Sequence, residues 1–91
     1  MYDYSKLPIG LQDGMKRYIE QGYQGGHFLN NVLSNDLIGA VNRADSENIK
    51  LLPDIVKWIY NEAPSGCFGS DVKVKAWLDS FKPINNREYH N

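Results

Sequence analysis

The sequence has 91 residues, 42% of them hydrophobic and 23% charged, and its ten basic and eleven acidic residues give a net charge of −1. This length suits one domain, and the composition excludes an intrinsically disordered chain. The balanced charge argues against a general binder of nucleic-acid backbones, which normally carries a basic excess.

The sequence shows no targeting or membrane signal. No apolar run is long enough for a transmembrane helix. The start, "MYDYSKLPIG", lacks the charged and apolar regions of a secretory signal peptide. Cys67 is the single cysteine, so an internal disulfide is impossible and a reducing cytosol is the expected setting.

Apolar spacing predicts three helices in the first half of the chain. The first runs from about Pro8 to Gln21, and Gly22 ends it as a left-handed cap. The second spans roughly His27 to Ser34. After the capping residues "SND" (34–36), a short third helix runs from Leu37 to about Arg43. The residues expected to face inward on the third helix are Leu37, Ile38, Val41 and Ala44.

Two more helices are predicted in the second half. The cap "ADSEN" (44–48) precedes a fourth helix, in which Pro53 either introduces a kink or begins a second helix, and Pro64 ends it. Its predicted buried face contains Ile49, Leu52, Ile55, Val56, Ile59 and Tyr60. A fifth helix begins after Ser70 as N-cap. Its apolar stripe is Val74, Trp77, Leu78 and Phe81.

These elements predict an all-α fold, a compact single domain of four to five short helices. The domain is expected to span residues 7–82. Residues 1–6 are expected to form a loose N-terminus, and residues 83–91 a disordered tail, because the tail is polar and lacks periodicity.

The first candidate binding loop precedes the second helix. Tyr23, Gly25, Gly26 and His27 lie where free backbone N–H groups and a positive helix end could hold an anion. The alternative is a plain turn that reverses the chain, since no phosphate-loop motif is present.

The second candidate loop is "YNEAPSGCFGS" (60–70). Glu62 lies at the negative end of the fourth helix and needs compensation. In one interpretation it accepts N–H groups from residues 66–70 and the loop is purely structural. In the other, polar groups and aromatic faces of the loop bind a ligand, with Lys73 as an anion donor. The residues proposed for this role are Tyr60, Asn61, Glu62, Ser65, Phe68 and Ser70.

No catalytic, metal or cofactor signature is visible. Cys67 with His27 as base would be a poor nucleophile pair, and Cys67 is expected to pack as a small apolar residue. One cysteine and two histidines do not supply the ligands of a zinc site. A DNA-reading helix-turn-helix is disfavoured because Glu47 and Asp54 would repel phosphates. Trp58, off the main apolar face, is expected at a subunit interface or a pocket wall.

The segments "YIEQGYQGGHFL" (18–29), "VLSNDL" (32–37), "RADSEN" (43–48), "WIYNEAP" (58–64), "CFGS" (67–70) and "KVKAW" (73–77) together resemble a family of small tailed-bacteriophage proteins without established activity. The resemblance covers about residues 10–81. One departure is Phe68, where the family tends to have tryptophan, so the indole N–H donor is lacking.

The resemblance implies a non-enzymatic protein of the host bacterial cytoplasm that counters host defence. The first hypothesis is a homo-oligomer that sequesters a nucleotide-derived immune signal between the two loops. The alternative is an inhibitor that docks on a host defence enzyme through aromatic anchors such as Trp58 and Tyr23. A small hydrolase and a DNA-binding regulator are weaker hypotheses. No membrane partner is expected.

Overall fold

The computed structural model describes residues 2–81 and confirms a compact all-α domain. Five α-helices and two 3₁₀ turns make up the described part, which contains no strand. In chain order the elements are η1 (Tyr4–Lys6), α1 (Ile9–Gln21), α2 (His27–Leu33), α3 (Leu37–Arg43), α4 (Ser46–Glu62), η2 (Ser65–Cys67) and α5 (Asp71–Asp79). The tail predicted to be disordered lies outside the described residues.

Helix α1 follows the predicted boundaries closely. Pro8 is its N-cap, and Gly22 ends it with φ of 71°, the left-handed conformation that glycine adopts without strain. The ring of Phe81 packs where a Cβ at position 22 would stand. Gly22 therefore allows α1 to end in a left-handed cap and leaves space for the Phe81 side chain, which follows α5.

Helices α2 and α3 form a tight pair joined by residues 34–36. Asn35 takes a left-handed conformation with φ of 63°. The carboxylate of Asp36 accepts a hydrogen bond from the Gly39 backbone N–H at 3.0 Å and another from the Asn31 side chain at 2.9 Å. The predicted cap cluster thus fixes the start of α3.

The N-terminal turn is ordered and covers α4. The Tyr4 hydroxyl donates to a Glu20 carboxylate oxygen at 2.8 Å, and the Trp58 indole N–H donates to the Asp3 carbonyl at 2.8 Å. The Tyr4 and Trp58 rings lie 5.5 Å apart. Residues 4–6, which were expected to be loose, therefore form a packed 3₁₀ turn.

Helix α4 continues through Pro53 as one element. The Asp45 carboxylate caps it by accepting from the Asn48 backbone N–H at 2.7 Å. Pro53 lies on the exposed side, so its ring and missing N–H do not disturb the core. The structure shows that no second helix begins at the proline.

The core forms between α1, α2, α4, η2 and α5. Its buried residues are Leu7, Met15, Tyr18, Ile19, Phe28, Leu29, Leu33, Ala40, Ile55, Trp58, Ile59, Cys67 and Val74. Trp77 and Leu78 pack partly against it, and the Trp77 indole N–H donates to the Tyr18 carbonyl at 3.0 Å. Three of the four residues in the predicted apolar stripe of α5, namely Val74, Trp77 and Leu78, thus contact the core.

The predicted inner faces of α3 and α4 were partly wrong. On α3 only Ala40 is buried, while Leu37, Ile38 and Val41 are exposed. On α4 the buried side chains include Trp58, whereas Ile49, Val56 and Tyr60, expected inside, are exposed. Both helices are apolar over more than half of their circumference, and the core covers only one side of each.

Candidate functional site

A groove runs between α3 and α4 and is lined mainly by apolar side chains. We call it the α3–α4 groove. It encloses about 280 Å³. Asn35 and Asp36 stand at its polar rim. Its apolar lining consists of Val32, Leu37, Ala40, Leu52, Val56, Ile59, Tyr60 and Phe68.

The two helices beside the groove carry large apolar side chains that face solvent, and three of these, Leu37, Val56 and Tyr60, line the groove itself. Ile38 and Tyr60 are each 77% exposed, and Leu37 is 65% exposed. Val41, Ile49 and Val56 are exposed to lesser degrees. An apolar patch of a few hundred Å² or more commonly marks an interaction site.

The sequence of α4 explains why this surface stays open. Two apolar stripes run along the helix, and they are offset around its axis. The stripe facing the core contains Leu51, Ile55 and Trp58. The outer stripe contains Ile49, Pro53, Val56 and Tyr60, at spacings of four, three and four residues. A helix cannot bury both stripes against the same core, so the outer stripe stays exposed, and its Val56 and Tyr60 line the groove.

Loop 60–70 is held in place by its backbone and supports one wall of the groove. The Tyr18 hydroxyl donates to the Cys67 carbonyl at 2.6 Å, and the Gly69 backbone N–H donates to the Leu33 carbonyl at 2.8 Å. Gly69 has φ of 118°, which glycine tolerates. These bonds set Phe68, partly buried, against the groove.

The predicted ligand residues of this loop separate into three places. Tyr60 and Phe68 meet in the α3–α4 groove. Asn61 and Glu62 line a second, shallower cavity of about 260 Å³ beside Lys57. Ser65 is exposed within η2.

Ser70, Lys73 and Glu62 complete the predicted set of ligand residues around this loop. Ser70 is the N-cap of α5, where its hydroxyl accepts from the Lys73 backbone N–H at 3.1 Å. The Lys73 side chain extends past Gly69. Glu62 is exposed and accepts no hydrogen bond within the described residues. The interpretation in which it accepts N–H groups from residues 66–70 was wrong, because the Cys67 and Gly69 backbone N–H groups donate to the Pro64 and Leu33 carbonyls instead.

The first candidate loop has a simpler explanation than an anion cradle. A Cβ at Gly25 would approach the Leu29 side chain to 2.8 Å, so that glycine permits close packing. Gly26 is the N-cap of α2, a helix of only seven residues, and His27 is exposed at its start. Tyr23 is 59% exposed.

Tyr23 belongs to a third cavity, of about 450 Å³, between the end of α1 and the end of α5. Its other walls include Gln24, Lys75, Leu78 and Phe81. None of these three cavities takes residues from both candidate loops.

Trp58 and Cys67 both lie inside the fold. Trp58 is 4% exposed because η1 packs over it. It also lines the second cavity, so the structure agrees with the pocket wall that was one of its two expected positions. Cys67 is fully buried, as predicted for a small apolar residue. Burial raises the pKa of its thiol to about 11, so little thiolate exists near neutral pH.

The described residues contain no cluster of three or more histidine, cysteine, aspartate or glutamate side chains suited to hold a metal ion. Nor is any helix among residues 2–81 both long and apolar enough to cross a membrane. Comparison with protein-family models, curated proteins and solved structures finds no match to this chain. The resemblance to tailed-phage proteins therefore stays a prediction.

The sequence interpretation missed most of the groove. Leu37, Ile38 and Val56 were assigned to the core, and only Tyr60 and Phe68 of the groove were named as ligand residues. The outer stripe of α4, with its four-three-four spacing, was the signal that could have identified this surface. Two apolar stripes on one helix indicate two different packing partners.

Proposed function

We propose that this protein is a non-enzymatic binding protein that docks onto another protein through the α3–α4 groove. The observation that carries the proposal is the apolar groove, whose lining includes three exposed large side chains: Leu37, Val56 and Tyr60. Helical grooves of this kind accept an apolar helix face from a partner. Tyr60 supplies the aromatic anchor that is common at the centre of interfaces.

The size of the patch also suits a macromolecular partner. A standard interface buries roughly 800 Å² on each partner, and about 65% of that is apolar at hydrophobic interfaces. The exposed apolar side chains of α3 and α4 extend beyond the groove itself, so the available surface is larger than a pocket for a small ligand. The charged groups of a nucleotide would find little compensation there, since Asp36 at the rim is itself an acid.

The resemblance to tailed-phage proteins supports one class of target. If the chain has that origin, the docking partner is a protein of the bacterial host, and a defence enzyme is the first candidate. The anchors differ from those expected from the sequence. Trp58 is buried, and the groove residues take its place.

Site-specific photocrosslinking in the producing cell tests this function. A photoreactive amino acid at Tyr60 is expected to give a discrete adduct with a partner protein. The matched control is Val72 on α5, which is equally exposed at 76% but lies outside the groove. Val56→Glu should abolish the Tyr60 adduct without unfolding the chain. The same adducts from both positions, or none from Tyr60, would reject docking through the groove.

A second candidate function is sequestration of a nucleotide-derived signal. The third cavity favours it, because Tyr23 offers an aromatic face and Lys75 a cation on the same wall. A thermal-melt screen against nucleotide second messengers tests it. A ligand at a hundred times its Kd stabilises the native state by about 2.7 kcal/mol, which raises Tm by more than ~8 °C. A flat screen would eliminate this candidate.

A further inference from the structure

We infer that the ligand of the α3–α4 groove is a single amphipathic helix, about three turns long, with acidic residues beside its apolar stripe. This inference rests on the proposed docking function and specifies the chemistry of the partner. Three observations support it: the spacing of the outer stripe, the position of two lysines, and the poor fit of a second copy.

The outer stripe of α4 has the pattern of a helix-pairing seam. Its four residues, spaced four, three and four, repeat like the contact positions of a coiled coil. From Ile49 to Tyr60 the stripe covers roughly 17 Å at the rise of an α-helix. A partner helix of about three turns would match that length, with apolar side chains entering the groove toward Leu37 and Leu52.

Two lysines mark one flank of this stripe. Lys50 directly follows Ile49, and Lys57 directly follows Val56, so both ammonium groups lie on the same side of the stripe, one heptad apart. Both lysines are exposed, and neither makes an ion pair within the described residues. The opposite flank is the apolar wall that α3 contributes.

The acids of α4 do not occupy that flank. Glu47 and Asp54 precede Lys50 and Lys57 by three residues each and lie farther around the helix, away from the stripe. Asp54 shares the second cavity with Lys57, on the side away from the groove. On this flank the two lysines are therefore the nearest charges to a helix seated on the stripe, whereas the Asp36 carboxylate lies at the start of α3, on the opposite flank. Carboxylates placed there on a partner would complete two ion pairs at the edge of the interface.

A second copy of this chain fits the same surface less well. In an antiparallel two-fold pairing of α4 stripes, equal flanks meet, so Lys50 and Lys57 would face the same lysines of the copy. In a parallel pairing the lysine flank would lie on the exposed apolar residues of α3, such as Ile38. Neither arrangement gives the ammonium groups a carboxylate.

The binding experiment uses three labelled synthetic helices of about 14 residues, stapled because short helices are marginal in water. All three carry the same leucine stripe in four-three-four spacing. They differ only on both flanks of that stripe, which carry glutamate, glutamine or lysine, so the orientation of the bound helix does not matter. Fluorescence polarisation gives the Kd of each helix for the intact protein.

We expect the glutamate helix to bind about tenfold tighter than the lysine helix, with the glutamine helix between them. The difference should shrink with salt, since the Debye length falls from about 10 Å at 0.1 M to about 3 Å at 1 M. The double variant Lys50→Glu, Lys57→Glu should reverse the order. Val56→Glu should weaken all three helices, whereas Val72→Glu, on α5, should leave them unchanged.

The outcomes separate the inference from the function on which it rests. Equal binding of the three helices, or an order that the double lysine variant does not reverse, would overturn the acidic partner and leave docking intact. Binding unaffected by Val56→Glu would overturn both. If sedimentation shows a dimer that Val56→Glu dissociates, a second copy occupies the groove and the acidic helix is rejected.

Discussion

The two faces of α4 show the same periodicity and have opposite surroundings. On the inner face Ile55 is fully buried and Trp58 is 4% exposed. On the outer face Val56 is 47% exposed and Tyr60 is 77% exposed. Neighbouring residues of one helix thus belong to the core and to the α3–α4 groove, respectively.

The difference between the faces lies in what else packs there. The inner face is covered by η1, whose Asp3 carbonyl accepts the Trp58 indole N–H, and by the core. Nothing in the described chain covers the outer face. The apolar residues of the outer face are not used by the core of this chain and are therefore available to a partner protein.

Truncating adjacent residues of the two faces is the most direct test of the difference in burial between them. Ile55→Ala is expected to lower the free energy of unfolding by about 2–5 kcal/mol, because it leaves a cavity in the core. Val56→Ala is the matched control and should change it by less than about 0.5 kcal/mol. Urea unfolding measures both. Similar losses for the two variants would mean that the outer face is covered and that the groove is not free.

Alkaline pH tests how tightly the inner side is closed around Cys67. Burial raises the pKa of the thiol from near 9 to about 11, so the unfolded chain loses this proton first. Stability should be complete below pH 9 and should then fall by up to about 1.4 kcal/mol per pH unit until pH 11. Burial also raises the pKa of Tyr18, which adds to the loss above pH 10.

The matched variant for this pH dependence is Cys67→Ala. Its stability at neutral pH will be lower, but between pH 9 and 10 its slope should be flatter than that of the parent. Thermal melts across this range compare the two slopes. Parallel slopes would show that the thiol ionises with its ordinary pKa, and that loop 60–70 opens to water.

Pro53 on the outer face should limit the stability of α4. Proline inside a helix costs about 3 kcal/mol relative to alanine, and the stiffer unfolded chain returns up to about 1 kcal/mol. Pro53→Ala is therefore expected to stabilise the protein by about 2 kcal/mol. Pro8→Ala is the control, because Pro8 caps α1 outside its hydrogen-bond ladder and should give no such gain. A loss of stability in Pro53→Ala would mean that contacts of the proline ring stabilise the fold by more than the proline costs the helix.

The sequence predicted the local features of this fold well. The ends of α1 and α3, and the caps at Asp36, Asp45 and Ser70, follow from short-range chemistry that is visible in a few residues. The number of helices follows from the apolar periodicity and the breakers between them. These features depend on neighbours in the chain, which is why one sequence suffices to predict them.

The inner and outer faces could not be assigned in the same way. The periodicity of α4 permits two stripes, and the choice depends on η1, which is 55 residues away along the chain at the Asp3–Trp58 bond. The predicted ligand residues of loop 60–70 are likewise distributed by packing, since Tyr60 lines the groove and Glu62 lines the second cavity. Long-range packing decides both the choice of face and this distribution, and a local pattern does not contain it.

The smallest expected effect concerns the hydrogen bond that joins the inner core to the wall of the groove. Tyr18→Phe removes the donor to the Cys67 carbonyl and leaves that buried oxygen unpaired, which should cost about 1–2 kcal/mol. Tyr4→Phe is the matched control: its hydroxyl bonds an exposed carboxylate, and its loss should cost less than about 1 kcal/mol. Hydrogen exchange adds the decisive readout, because the Gly69 amide that donates to Leu33 lies two residues after Cys67. Faster exchange of that amide in Tyr18→Phe alone would show that the core fixes the loop carrying Phe68, whereas unchanged exchange would show that the loop holds its conformation without Tyr18.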